Sequence, residues 1–282
     1  MRQYLNLLQE VLTKGTLQEN RTGISTLMIP GAMLKFDMAE GFPAVTTKKL
    51  AFKSGVAELL GFLRGYDNAK DFRELGCKFW DQNANETKSW VNNPNRKGED
   101  DLGRIYGQQW RNWVRSDGGG YLDQVQVLIE GIRKDPTSRR LIVNAWRPDE
   151  FDQMALPPCH ILFQVIIEQT TKKMHMVWYQ RSNDLFLGIP INSMSYGTLL
   201  HLLARITGHI PGTLTGFLAD VHIYSNHINQ VKLQLTRDPL PLPRLWLSPE
   251  IKQNTNLEDI QPDQIKLLSY YSHPAIHAPM AA

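Results

Sequence analysis

Four short segments hold the side chains whose types and spacing could do chemistry. In Leu156-Pro157-Pro158-Cys159-His160 a thiol follows two prolines at the start of an apolar run, so a stiff backbone holds it. Such a thiol suits nucleophilic attack, and a free cysteine equally well packs as a small hydrophobe. Between two apolar stretches, Tyr179 to Asn192 gathers Gln180, Arg181, Ser182, Asn183, Asp184 and Asn192. Buried polar groups of this kind need hydrogen-bond partners, while Asp184 and Asn192 also fit the turn and cap positions of a loop. Pro136-Thr137-Ser138-Arg139-Arg140 sets two adjacent arginines after a helix and before a strand. There they can grip a phosphate bidentately or face solvent at a helix C-terminus. In Asp220 to His227, His222 and Tyr224 stand two apart and face the same way on a strand. The spacing of His222 and His227 fits no zinc pattern and no cysteine pair lies near, so no metal is expected.

The bulk of the chain narrows the class that carries these residues. Its 282 residues suit one compact domain over 1–282. Hydrophobic residues at 42% and charged residues at 21% are ordinary for a globular protein. No run of about 18 apolar residues suggests a membrane span, and Met1–Gly15 lacks the apolar core of a signal peptide. Two cysteines, Cys77 and Cys159, are too few for a disulfide framework, so a reducing cytoplasmic setting is expected. A net charge of +3, with basic residues scattered, leaves no nucleic-acid footprint.

The elements that must position the chemistry are read from periodicity. Tyr4, Leu5, Leu8, Val11 and Leu12 mark a first helix, with Gly15 as its stop. Ile24–Met38 suggests two short strands turning at Pro30-Gly31. Phe52–Leu63 reads as a helix apolar over most of its circumference. The polar stretch at about 81–104 reads as a surface loop or insertion. Leu122–Ile132 predicts an amphipathic helix halted at Asp135-Pro136, and Leu141–Trp146, Ile161–Ile167 and Met174–Tyr179 predict strands. The last two are joined by a hairpin at Gln169–Lys172. Ser193–Ile206 predicts a helix ended by Gly208, and Leu214–Tyr224 and Ile265–Tyr271 further strands. Strands and helices intermingle without regular βαβ alternation, which indicates α+β.

Taken together, these segments closely resemble thymidylate synthase. The resemblance rests on Pro158-Cys159-His160, Gln180-Arg181-Ser182-Asn183-Asp184, Leu187-Gly188 with Pro190 and Asn192, and His222-Ile223-Tyr224-Ser225-Asn226-His227. Glu19–Gly23, Gly41-Phe42-Pro43 with Thr46–Lys49, Glu58-Leu59-Leu60, Leu102-Gly103 with Ile105-Tyr106-Gly107, Gln109-Trp110-Arg111 and His273–Ile276 extend it in the family's order. It implies a mixed β-sheet with flanking helices, and two such sheets packed back to back in a homodimer. It also implies a methyltransferase that converts dUMP to dTMP. The methylene and hydride donor would be the co-substrate 5,10-methylenetetrahydrofolate, released as dihydrofolate.

The family pattern assigns roles residue by residue. Cys159 matches the nucleophile that adds to C6 of uracil. Arg181 matches an arginine that favours its thiolate and also touches phosphate. Arg21, Arg181 and Ser182 match the phosphate site, with Arg139 and Arg140 reaching over from the other subunit. Asn192 matches the base-reading amide, and His222 and Tyr224 the contacts to the ribose 3′-hydroxyl. Glu58 resembles the carboxylate of a proton relay, and Tyr106 the tyrosine near the C5 proton. His160 and Gln180 line the same pocket. Asp184 matches the pterin-binding residue, with Trp80, Leu187 and Gly188 as walls, and Ala281-Ala282 would close over the folate. Cys77 matches nothing catalytic.

Three positions depart from the commonest pattern: Asn83 and Ile191 replace a tryptophan and a phenylalanine, and Ala282 a larger aliphatic residue. Each borders folate or base, so water exclusion is the property they touch. A pyrimidine-nucleotide hydroxymethylase shares the cysteine and folate but lets water capture the methylene. Its deoxycytidylate form tends to carry aspartate where Asn192 stands, whereas a deoxyuridylate form keeps the asparagine. A non-catalytic protein binding a nucleotide or messenger RNA would have no need of the Cys159, Arg181, Glu58 and Asn192 set.

Overall fold

The structure, a computed structural model, describes residues 1–280. Helix α1 (Arg2–Lys14) turns Tyr4, Leu7, Leu8 and Val11 inward. Strand β1 (Thr16–Gln18) then pairs with β2 (Thr26–Asp37). The expected turn at Pro30-Gly31 does not break β2, which pairs with one later strand along its whole length. Because β1 covers only Thr26–Met28, β2 has an open edge at Pro30, where a missing N–H is tolerated. Helix α2 (Phe52–Leu63) spans the predicted residues and is buried nearly all round.

The polar stretch after it is more structured than a surface loop. Helix α3 (Ala69–Leu75) is capped by the Asn68 side chain, which accepts from the Lys70 N–H. Two single-turn helices follow, α4 (Asp81–Asn85) and α5 (Lys88–Val91). The buried Trp90 indole donates to the Asp101 carbonyl at 2.6 Å, and Arg73 bridges Asp81 and Asp100. Helix α6 (Tyr106–Arg111) leads to a small ribbon, β3 (Trp113–Val114) with β4 (Tyr121–Leu122). Helix α7 (Gln124–Lys134), N-capped by Asp123, stops before Asp135-Pro136, as the proline demands.

The main sheet is completed by β5 (Ile142–Asn144), β6 (His160–Glu168), β7 (Lys173–Asp184) and β8 (Ile210–Tyr224). Its order is β1-β2-β8-β7-β6-β5, and β7 and β8 are parallel while every other pair is antiparallel. Parallel neighbours need a crossover, which α8 (Gly188–Thr207) supplies. The helix begins five residues before the predicted Ser193. Pro190 lies in its first turn, where no intrahelical N–H is missed, and the Asp184 carboxylate accepts from the Phe186 and Leu187 N–H groups just ahead of it. Gly208 ends it at φ 76°. Helix α9 (Ile228–Leu235) and a ribbon of β9 (Arg244–Leu247) with β10 (Ile265–Leu268) close the fold. The mixed sheet with flanking helices is the expected α+β architecture.

The two faces of the sheet differ in character. Inward residues of β7, including Met174, Met176 and Trp178, are buried beneath α8. Outward, Met33, Phe217, Tyr179 and Leu162 stand in register across four strands, and the first three are large and exposed. A shallow apolar trough runs along this outer face beside Met28, Met33, Tyr179 and Phe217.

Candidate active site

The carboxyl ends of β7 and β8 lie side by side, with Ser182 opposite Asp220 and Asp184 opposite His222. Across β6, His160 registers with Gln180. Inward-facing residues of three strands therefore converge at one end of the sheet, where open sheets commonly bind ligands. The start of α8 roofs that end with Leu187, Gly188, Ile191 and Asn192. A cavity of about 590 Å³ opens there.

Cys159 faces this cavity from the residue before β6. The stiff Pro157-Pro158 segment is anchored by Arg181, whose Nε and Nη2 donate to the Pro158 and Pro157 carbonyls at 2.9 and 3.0 Å. Prolines donate nothing but still accept, so one guanidinium fixes the backbone that presents the thiol. That guanidinium also lies 5.3 Å from the Trp146 ring centroid. The Cys159 N–H donates to the Tyr106 hydroxyl oxygen at 2.6 Å. Burial pushes the Cys159 thiol above its ordinary value, while Arg181, the Tyr106 hydroxyl and Arg21 pull it back. Burial outweighs the guanidinium, so the resting group is a thiol rather than the thiolate that the arginine alone suggests.

Glu58 reaches the cavity from α2 between Phe62 and Trp80. Burial lifts its carboxyl to about 7, opposed by the Trp80 indole, which donates to Oε1 at 3.0 Å. A carboxyl so poised both gives and takes protons near neutral pH. Tyr106 stacks on His160 with centroids 4.1 Å apart, and the His160 ring, joined to the Tyr196 hydroxyl through Nδ1, is driven down to about 3 by burial. His160 is therefore a neutral imidazole at neutral pH.

A polar part of the wall is internally bonded. The Trp178 indole donates to Gln180 Oε1, and Gln180 Nε2 donates to the Ser182 carbonyl and to Asn192 Oδ1. His222 Nδ1 contacts Asp220 at 2.7 Å, which leaves Nε2 for the cavity that His222 and Tyr224 line. Arg21 lines it from a loop that Asn20 folds by accepting from Thr22 and donating to the Ile24 carbonyl. Gly23 at φ 73° lets that loop turn.

Among the sequence-predicted residues, Arg139 and Arg140 stand apart: both are exposed ahead of β5, away from the cavity of their own chain. Neither forms an ion pair among the described residues. Ala281 and Ala282 lie outside the described residues. Asn83 and Ile191 both border the cavity. Of the lining residues that sequence reasoning did not name as site residues, Lys48 and Asp220 stand out. Lys48 is buried, donates to the Phe186 carbonyl at 2.5 Å, and is brought down to about 8 by burial against the pull of Asp184. Asp220 orients His222. The ordered segment Thr46-Thr47-Lys48-Lys49 was the available signal for the first; nothing in Asp220-Val221-His222 announces the second.

Comparison with known proteins then decides the family. A family model for thymidylate synthase matches residues 2–282. The chain belongs to the thymidylate synthase family. Relatives named as thymidylate synthase include one from Pseudomonas syringae pv. tomato, 45% identical over the full length of both chains. One from Bordetella parapertussis is 42% identical, also over both full lengths. Another, from Symbiobacterium thermophilum, is 44% identical over 99% of this chain and 98% of its own. Thymidylate synthase is thus the setting in which this cavity, with its thiol, poised carboxyl and orienting amides, is to be understood.

Proposed function

We infer that this protein is a thymidylate synthase, a methyltransferase that makes dTMP from dUMP with 5,10-methylenetetrahydrofolate as co-substrate and dihydrofolate as by-product. The family match along residues 2–282 carries the activity. The single geometric observation that best supports it is one cavity lined by Cys159, Glu58, Tyr106, Arg181 and Asn192.

In this reading Cys159 adds to C6 of uracil, its proton leaving to solvent or a base, and C5 becomes an enolate-like carbon able to take up the methylene. Desolvation works against the free thiolate, so the bound nucleotide and its arginines are what draw the proton off. The phosphate dianion is held by Arg21, Arg181 and Ser182 on one side. Glu58, half-protonated near neutrality, passes protons at O4 and at the folate. Tyr106, whose oxygen already holds the Cys159 N–H, stands where the C5 proton leaves. Asn192 reads the base edge, His222 and Tyr224 the ribose, and Asp184 with Trp80, Leu187 and Gly188 the pterin.

A homodimer completes the site. The outer sheet face presents Met33, Phe217 and Tyr179 to solvent, and a second copy packed against it would cover them. The unpaired Arg139 and Arg140 at the edge of that face then reach the partner's phosphate. No helix among the described residues is long and apolar enough to cross a membrane, and a cytoplasmic setting agrees with two free cysteines.

The test is mass spectrometry of the nucleotide formed from dUMP and methylenetetrahydrofolate, with absorbance followed for dihydrofolate. A methyl product with stoichiometric dihydrofolate is expected. A hydroxymethyl product without dihydrofolate overturns the reading in favour of a hydroxymethylase.

A further inference from the structure

An amide side chain has two ends of equal shape and opposite chemistry, and a reading residue is useful only if its neighbours decide which end faces the ligand. Around Asn192 that decision is made at a distance. The Trp178 indole nitrogen can only donate, and it meets Gln180 Oε1 at 3.2 Å. Gln180 Nε2 consequently points the other way, to the Ser182 carbonyl and to Asn192 Oδ1, each at 3.0 Å. With its oxygen engaged there, Asn192, which lines the cavity, keeps its amino group as the end left to offer a donor. A donor at that edge pairs with a 4-oxo group and clashes electrostatically with a 4-amino group.

Trp178 is held so that this donor cannot wander. It is fully buried and stacks on Tyr196 at 5.4 Å with planes 16° apart. It also sits over Gly216, its register partner on β8. A Cβ at Gly216 would come within 2.3 Å of the indole ring. Trp178 and Gln180 are two apart on β7 and so share the inward face.

We propose that Trp178 is a positioning residue that, through Gln180, sets the direction of the Asn192 amide and thereby makes the site prefer 4-oxo over 4-amino pyrimidine nucleotides. This rests on Asn192 reading the base, as proposed above.

The experiment compares binding of dUMP and dCMP to the whole protein by titration calorimetry, in the wild type and in Trp178→Phe. Losing one hydrogen bond should lower the dUMP-to-dCMP affinity ratio by roughly threefold to tenfold. In an Asn192→Ala background the same change should leave the ratio where it was, because the reader is gone. Should Trp178→Phe fail to fold, benzothienylalanine at position 178 keeps the ring shape and removes only the N–H. An unchanged ratio, or parallel weakening of both nucleotides with a falling Tm, overturns the role of Trp178 and reduces it to packing. A wild-type protein with no preference for dUMP instead overturns the assignment of Asn192 beneath it.

Discussion

At the residue scale, Cys159 has a stiff approach, an anchored backbone and a thiol held protonated by burial. Cys159→Ala should abolish turnover while dUMP still binds with near wild-type affinity in calorimetry; measurable turnover would remove the nucleophile. Glu58 supplies a pH signature. Glu58→Gln should lower kcat by about 10²- to 10⁴-fold. Trp80→Phe removes the donor that favours the carboxylate, so the inflection of the pH–kcat profile should move above about 7. Stability carries the same sign. The native carboxyl keeps its proton up to about 7, whereas its ordinary value is 4.5, so stability is lost as pH rises through that window. Thermal melts of Glu58→Gln should lack that loss. What was legible here were side chains with distinctive chemistry in a fixed order. Lys48 and Asp220 were not, because the first matters through burial against Phe186 and the second through a partner two residues on, and both depend on tertiary packing.

At the scale of elements, α2, the hairpin of β6 and β7, and the ends of α7 and α8 were readable because apolar periodicity and Pro or Gly stops agreed. Short helices α3, α6 and α9 were not, since one or two turns carry too little period. The parallel pairing of β7 with β8 was also hidden, although it brings Asp184 beside His222. The early start of α8 turns Asn192 from a loop residue into a helical one held by Gln180. Asn192→Asp should erase the preference for dUMP over dCMP in kcat/KM, and an unchanged ratio would argue against a base-reading role.

At the scale of the whole molecule, the outer sheet face and the displaced arginine pair point the same way. Phe217→Glu, on the exposed row with Met33 and Tyr179, should halve the mass seen by sedimentation and cost most activity. Mixing inactive Cys159→Ala with inactive Arg139→Ala should restore part of it after subunit exchange, because one hybrid site keeps both parts. Failure to recover any would mean that each chain builds its site alone. One further property of the molecule follows from its two cysteines. Cys77 is fully enclosed, its thiol pushed well up by burial, whereas Cys159 opens to the cavity. An alkylating dye offered to the folded protein therefore has one target per chain, and dUMP bound as proposed should hide it. The dye taken up by an assembly, with and without dUMP, is a direct census of its accessible reaction chambers, with no catalysis required.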